Sequence, residues 1–425
     1  MRALLVFAVI VPLCGLLLVF SPQIAFFKSA LSLPLSWPLA THPENEALHS
    51  GTREQQPLDV VGFSGGHKHS SSGHGHGHSH DTQPLSIPGQ FKRKIVAVGD
   101  LHGDMPNAQA VLQMAGVVDA QGKWTGNVDV FVQTGDIIDR GDDTIKLYEW
   151  MDQLREQAHA AGGLVMSHLG NHEWMNIIGD WRYVYPSEIA TFGSVSARQK
   201  MLSSGHIGKS WAANYTVTSR LPLHPSLGEP NVDFDPSNPS PLSHAAVSFV
   251  HGGLAPSYPD LTPFPSHINE LGQSLLRKLQ ARSPPPPHPP NPYPGLPDRA
   301  TPAERRLYGS DGPLWYRGWA LDPEEKVCAE VDAVLKKTGT RRMIMGHTPD
   351  FEKIVSRCDG KIIVIDTGIS HAYGGALSAL SITYTLTPIA NNKWREKEVV
   401  TALYEDQHLS IASDEREVFG DFAAW

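Results

Sequence analysis

Short apolar runs, each cut off by a glycine and a polar residue, recur along most of this chain. Residues 94–98 (Lys-Ile-Val-Ala-Val) read as a buried strand that ends in Gly99-Asp100-Leu101-His102-Gly103-Asp104. A helix follows from about Pro106 to Gly116, since proline suits a first turn and glycine a stop. Residues 128–133 give a second strand, which ends in Gly135-Asp136-Ile137-Ile138-Asp139-Arg140-Gly141. Leu147, Met151, Leu154 and Ala158 then recur at helical spacing over residues 143–160. A third strand over 164–168 leads into Gly170-Asn171-His172-Glu173. Three strand–loop–helix units in a row predict an α/β protein with a parallel sheet and right-handed crossovers.

The same pattern returns later in the chain. Residues 246–250 form an apolar strand before His251-Gly252-Gly253, and a helix at 323–337 precedes a strand at 342–345 that ends in Gly346-His347. Residues 361–365 end in Asp366-Thr367-Gly368, and 377–387 alternate as an antiparallel strand does. Between the two halves, residues 174–220 are helical and aromatic, with Trp174, Trp181, Tyr183, Tyr185 and Trp211. These aromatics suit a cap beside a site or ordinary core packing equally well. Residues 221–245 and 283–297 read as proline-rich insertion loops, and eight prolines fall between Ser283 and Gly295.

The amino-terminal part has no such pattern. Residues 3–20 carry no charge, at the short limit of a membrane span. Residues 1–30 are expected to be a signal peptide or an uncleaved signal anchor, which places the rest in the secretory pathway, as a lumenal or secreted protein. A mitochondrial transit peptide fits less well, because the stretch lacks repeated arginine. Residues 31–91 form a His/Gly/Ser/Pro-rich linker, six of whose histidines lie between Gly65 and Asp81. Glycines between those histidines leave nothing to fix a metal geometry, so a tether is the preferred reading over weak metal buffering. One catalytic domain is expected over 92–405, with 406–425 as a polar tail. Cys328 and Cys358 have no zinc-type spacing, and their pairing is left open. Asn214-Tyr215-Thr216 is a glycosylation sequon that matters only in a translocated chain. A net charge of −9 gives no basic footprint, which argues against nucleic acid as a partner.

Six strand-end residues carry ligand chemistry: Asp100, His102, Asp136, Asn171, His251 and His347. Carboxylate, imidazole and amide oxygen together suit manganese, iron or zinc, with manganese preferred. Two divalent ions about 3.5 Å apart need a bridging carboxylate, and Asp136 is placed to bridge. Asp100 and His102 would complete one ion; Asn171, His251 and His347 would complete the other. A hydroxide held between the ions would attack phosphorus, and His172 would protonate the leaving oxygen as general acid. Asp139 would hold the His172 imidazole, and Arg140 would clamp phosphate oxygens.

These motifs, in this order over residues 94 to about 387, resemble the series of the PPP-type phosphoprotein phosphatases, within the calcineurin-like metallophosphoesterases. The resemblance implies a central β-sandwich of two mixed sheets flanked by helices, and a phosphoprotein or phosphopeptide substrate. Leu169 stands where typical eukaryotic members have arginine, and Asp366-Thr367-Gly368-Ile369-Ser370 replaces their Ser-Ala-Pro-Asn-Tyr segment. Leu314-Trp315-Tyr316-Arg317 occupies the place of Leu-Trp-Ser-Asp. The pattern is similar to the Shewanella-like protein phosphatases, some of which prefer phosphotyrosine. Arg317 is the residue expected to make a second phosphate contact. A small-molecule phosphoesterase or dinucleoside polyphosphate hydrolase is the alternative on the same site, and a non-catalytic binding protein is the least favoured reading.

Overall fold

Ile95, Val96, Ala97 and Val98 are all buried, two on each face of a strand. A strand buried on both faces must lie inside a layered fold. This computed structural model describes residues 88–422, so the apolar stretch 3–20, the histidine-rich tract and most of the 31–91 linker lie outside the described residues.

The chain begins with β1 (Phe91–Val98), α1 (Met105–Met114), β2 (Val130–Gln133), α2 (Thr144–Ala160), β3 (Leu164–His168) and α3 (Asn171–Ile178). Three short helices follow, α4 (Pro186–Thr191), α5 (Val195–Ser203) and α6 (His206–Asn214), then β4 (Tyr215–Thr216), β5 (Thr218–Pro222) and β6 (Ala246–Val250). Next come α7 (Ser266–Gln280), α8 (Pro302–Leu307), α9 (Gly318–Leu321) and α10 (Glu324–Thr338). The last strands are β7 (Arg342–Met345), β8 (Val355–Arg357), β9 (Ile362–Val364), β10 (Ser378–Ala390), β11 (Lys393–Tyr404) and β12 (His408–Phe419).

The strands form two sheets, ordered β12-β11-β10-β1-β2-β3-β4 and β5-β6-β7-β9-β8. The expected parallel arrangement holds for β1-β2-β3-β4 and for β6-β7-β9. Antiparallel strands flank both groups, so the sheets are mixed. Ile95, Ala97, Val130 and Val132 point into the core between the sheets, where they join Val247, Phe249, Ile344 and Ile363. Their neighbours Val96, Val98 and Phe131 face outward and pack with Val111 and Leu112 of α1 and Leu147 and Met151 of α2. The period-2 alternation of a strand thus serves two cores at once.

Several boundaries differ from the sequence reading. The polar tail expected from 406 belongs to the domain: residues 408–419 pair with β11 as the edge strand of the larger sheet. Most of β12 is exposed, so it shows no hydrophobic face from which a strand could be read. The 174–220 segment is helical up to Asn214 and then gives β4 and β5, the latter opening the second sheet. The 283–297 insertion stays irregular but is docked. The His288 amide donates to the Gly179 carbonyl (2.9 Å), and the Trp181 amide donates to the His288 carbonyl (2.7 Å). It therefore buttresses the carboxyl end of α3. Cys328 and Cys358, whose spacing alone leaves their pairing open, form a disulfide with their Cα atoms 5.3 Å apart. Among the described residues no helix is long and apolar enough to cross a membrane.

Candidate metal centre

The parallel strands β1, β2, β3, β6 and β7 each end at one place, and the six predicted ligands sit just beyond them, five on loops and Asn171 at the first position of α3. This is where an open α/β sheet presents ligand-binding groups. The loops are tightly coupled. Leu101 and His102 amides both donate to the Asp136 carbonyl at 3.0 Å. Gly103 and Gly141 pass so close that a Cβ on either would meet the other's backbone at 2.4–2.6 Å. Gly170 is equally constrained, because an added Cβ would lie 2.2 Å from Asp136 Oδ1.

Asp136 is the hub. Its Oδ1 accepts from the His172 amide at 2.9 Å. Its Oδ2 lies 3.1 Å from His251 Nε2, 4.0 Å from His102 Nε2 and 3.9 Å from His172 Nε2. Asn171 Oδ1 is 2.8 Å from His251 Nε2, and the Asp100 Oδ2 to His102 Nε2 distance is 3.9 Å. The His347 amide donates to Asp100 Oδ1 at 3.2 Å. The structure therefore brings together all six predicted ligands, with Asp139 and Arg140 beside them.

The donor set fits divalent metal. His102 Nδ1 faces the Ile138 carbonyl and His251 Nδ1 the Thr134 carbonyl, each at 3.0 Å. Each Nδ1 therefore carries the proton and leaves an Nε2 lone pair directed at Asp136, the tautomer a metal requires. His347 Nε2 is buried without a hydrogen-bond partner, which would be costly unless something else occupies that lone pair. Two clusters emerge, His102-Asp136-His172 and Asp136-His251-His347, with Asp136 common to both. His172 differs from the other members. Its Nδ1 is 2.6 Å from Asp139 Oδ2, a partner that favours the imidazolium, which cannot bind metal.

Electrostatics follow burial. Burial, Asp366 and Asp136 push the Asp100 carboxyl well above the usual range, whereas at Asp136 burial is outweighed by the surrounding imidazoles, His172 among them, which hold it well below. Burial and His172 bring His102 down to about 3. Burial opposes protonation of His172, but Asp136 and Asp139 outweigh it and raise its pKa. Such opposed groups within one cluster are typical of functional sites.

Arg140 lies with its guanidinium 4.2 Å from the Tyr183 ring centre and 4.8 Å from that of Tyr373. Its Nε is buried without a partner. Arg317 donates to the His347 carbonyl (2.8 Å) and Thr348 Oγ1 (3.0 Å), so it reaches the site through the His347 loop. The aromatic segment 174–220 divides: Trp174, Trp181 and Trp211 are core, while Tyr183 stacks beside His172 at 4.9 Å.

Three further residues of the site, Glu173, Asp366 and Tyr373, carry no signal of a role in the sequence. Glu173 accepts from the amides of Gly170 (2.7 Å), Asp136 (2.9 Å) and Ile137 (2.8 Å), and so fixes the Asp136 loop. Asp366 helps to raise the pKa of Asp100, and burial brings its own up to about 6. Tyr373 stacks 5.4 Å from His102. Glu173 and Asp366 both lie inside strand-end motifs, but their partners are distant in sequence. A further property was invisible in the sequence: His102, Asp136, Asp139, Arg140 and His347 all have positive φ, five of the nine such non-glycine residues described. Each costs on the order of 1–3 kcal/mol, which the coupled loops must hold in place.

The calcineurin-like phosphoesterase family model matches residues 93–351. The chain belongs to the calcineurin-like phosphoesterases. It is 30% identical to Shewanella-like protein phosphatase 2 of Arabidopsis thaliana over 65% of this chain and 71% of that protein. An uncharacterised protein of Schizosaccharomyces pombe is 39% identical over 68% of this chain and 77% of its own length. These similarities put the chain with the Shewanella-like protein phosphatases, as a hydrolase of phosphoesters. A cold-active protein-tyrosine phosphatase from a psychrophilic Shewanella shares the fold, with a TM-score of 0.53 and 23% identity over 75% of this chain and 80% of that chain. The family implies a dimetal centre, in keeping with the clusters that meet at Asp136.

Proposed function

We propose that this calcineurin-like phosphoesterase is a metal-dependent phosphoprotein phosphatase that hydrolyses phosphotyrosine, phosphoserine or phosphothreonine monoesters, with His172 as general acid. The observation that carries the acid role is the His172–Asp139 pair beside Asp136. With Nδ1–H committed to Asp139, the proton on Nε2 is the transferable one, and it faces the cluster. Two divalent ions, held by Asp100, His102 and Asp136 and by Asp136, Asn171, His251 and His347, supply Lewis-acid charge and an activated water when bound. Manganese is the preferred ion, with iron or zinc as alternatives. Arg140, pre-set between two tyrosine rings, binds the phosphate, and Arg317 supplies a second contact. Tyr373 packs on the half-exposed Phe351 (ring centres 5.7 Å apart), which extends an aromatic wall outward from Arg140 for the substrate side chain.

The names of the relatives favour protein over small-molecule substrates. The test is turnover by residues 88–425 with manganese on phosphotyrosine peptides, phosphoserine peptides and a dinucleoside polyphosphate. Preference for either peptide by tenfold or more in kcat/KM is expected; preference for the dinucleotide would replace this reading with the small-molecule one.

We further propose that the catalytic domain resides in the secretory lumen. The Cys328–Cys358 disulfide supports an oxidising compartment, and Asn214 of the sequon is exposed at the end of α6. The full chain expressed in its host should be protected from external protease on intact membranes and should lose mass with an N-glycan-cleaving amidase. Digestion by external protease would refute the placement.

A further inference from the structure

Arg198 of α5 is fully buried behind the His172–Asp139 pair. A guanidinium in such a place must find partners for its donors. Nη1 donates to Asn176 Oδ1 at 2.6 Å, and Nη2 donates to Glu188 Oε1 at 2.9 Å and lies 3.6 Å from Asp139 Oδ1. Its face packs against the rings of Trp181 (4.5 Å) and Phe192 (5.3 Å). The fork is not spent on one carboxylate. Arg198 Nε and Glu188 Oε2 both lack partners, although a pair built for stability alone would align them.

What the split fork achieves is the orientation of Asn176. Arginine has donors only, so the amide oxygen of Asn176 must face Arg198. The amide nitrogen is thereby turned the other way, where it donates to Asp139 Oδ1 and to the His172 carbonyl, each at 2.8 Å. The reverse amide would set an oxygen against the Asp139 carboxylate. Asp139 then has both oxygens engaged, Oδ1 by Asn176 and Oδ2 by His172 Nδ1. Its carboxylate plane is fixed, and with it the direction of the imidazole.

We propose that Arg198 is a positioning residue for the phosphoester reaction, acting through Asn176 and Asp139 on the aim of His172. This rests on the reading of His172 as general acid. It also accounts for the α4–α5 excursion, in which α4 supplies Glu188, secured by Thr144 Oγ1 at 2.8 Å, and α5 supplies Arg198.

The test compares the full chain with Arg198→Met, Arg198→Lys and Asn176→Ser, using aryl phosphates of differing leaving group. Loss of a well-aimed acid matters for a poor leaving group and little for a good one. Arg198→Met should lose ~10-fold or more in kcat on phenyl phosphate but less than about threefold on 4-nitrophenyl phosphate, with metal content retained. Arg198→Lys keeps the charge without the fork and should recover part of the loss. In a His172→Ala background the Arg198→Met effect should vanish, because the two act as one unit. In metal-free protein, the downfield proton signal of the His172 Nδ1–H bond to Asp139 should broaden or shift. If Arg198→Met does not fold, Asn176→Ser carries the same comparison. Equal losses on both esters, or additive losses in the double variant, would overturn the proposal. If His172→Ala itself shows no dependence on the leaving group, the acid reading falls and this one with it. If only His172→Ala shows it, the Arg198 proposal alone falls.

Discussion

His172 Nδ1 and Asp139 Oδ2 are 2.6 Å apart, both buried, one on the first turn of α3 and the other on the loop after β2. Under the proposed function, this pair sets His172 apart as the proton donor among histidines that otherwise have the surroundings of metal ligands. His172→Ala should keep both metals and lose ~10²–10⁴-fold in turnover on phosphopeptide, the usual value of general acid catalysis. Wild-type turnover in that variant would remove the assignment.

Asp136 presents one oxygen to three histidines. Asp136→Asn should therefore lower the content of both ions together, as read by elemental analysis. Loss of a single ion would show that the carboxylate does not bridge.

Arg140 is held between Tyr183 and Tyr373. Arg140→Lys keeps the charge but forfeits the planar stack and the fork. KM for phosphopeptide should rise about tenfold or more, as a bidentate contact worth roughly 1.5–3 kcal/mol implies, while the metal content stays constant. An unchanged KM would place the phosphate elsewhere.

His168 is buried between the Gln133 carbonyl (2.9 Å) and Ser219 Oγ (2.8 Å), and burial brings its pKa down from 6.5 to about 4. Between these values the unfolded chain binds the proton and the folded chain does not. Stability should therefore fall as pH drops from 6.5 towards 4, by up to about 3 kcal/mol from this residue. His168→Gln, which cannot charge, should flatten that part of the melting-temperature profile. An unaltered pH slope would mean that other groups dominate it.

Much of this protein was legible in the sequence because its chemistry is local. A run such as 130–133 followed by Gly135 and Asp136 specifies a buried strand and the reactive residue at its end, whatever the rest of the chain does. The identities of the six expected ligands, His172, Asp139 and Arg140 could be read this way. So could the parallel order of β1 to β3, since strand–helix–strand units close only one way.

Long-range pairing governs the rest. His347 meets Asp100 across 247 residues, and no local pattern encodes that meeting. Strands β5 and β12 lack a clean apolar alternation, the first being part polar and wholly buried and the second an exposed edge. Glu173, Asp366 and Arg198 are polar residues whose only distinction is the partner each finds in the interior. The same holds for the positive φ of Asp136 and Asp139: the chain adopts it because neighbouring loops hold it there. Residue order alone dictates which side chains are able to bind metal, phosphate and proton. Packing in three dimensions dictates that one oxygen of Asp136 lies within 4.0 Å of three imidazoles, and that Asn176 and Asp139 aim one of them. Side-chain chemistry travels with the chain, whereas convergence depends on sheets that close over hundreds of residues.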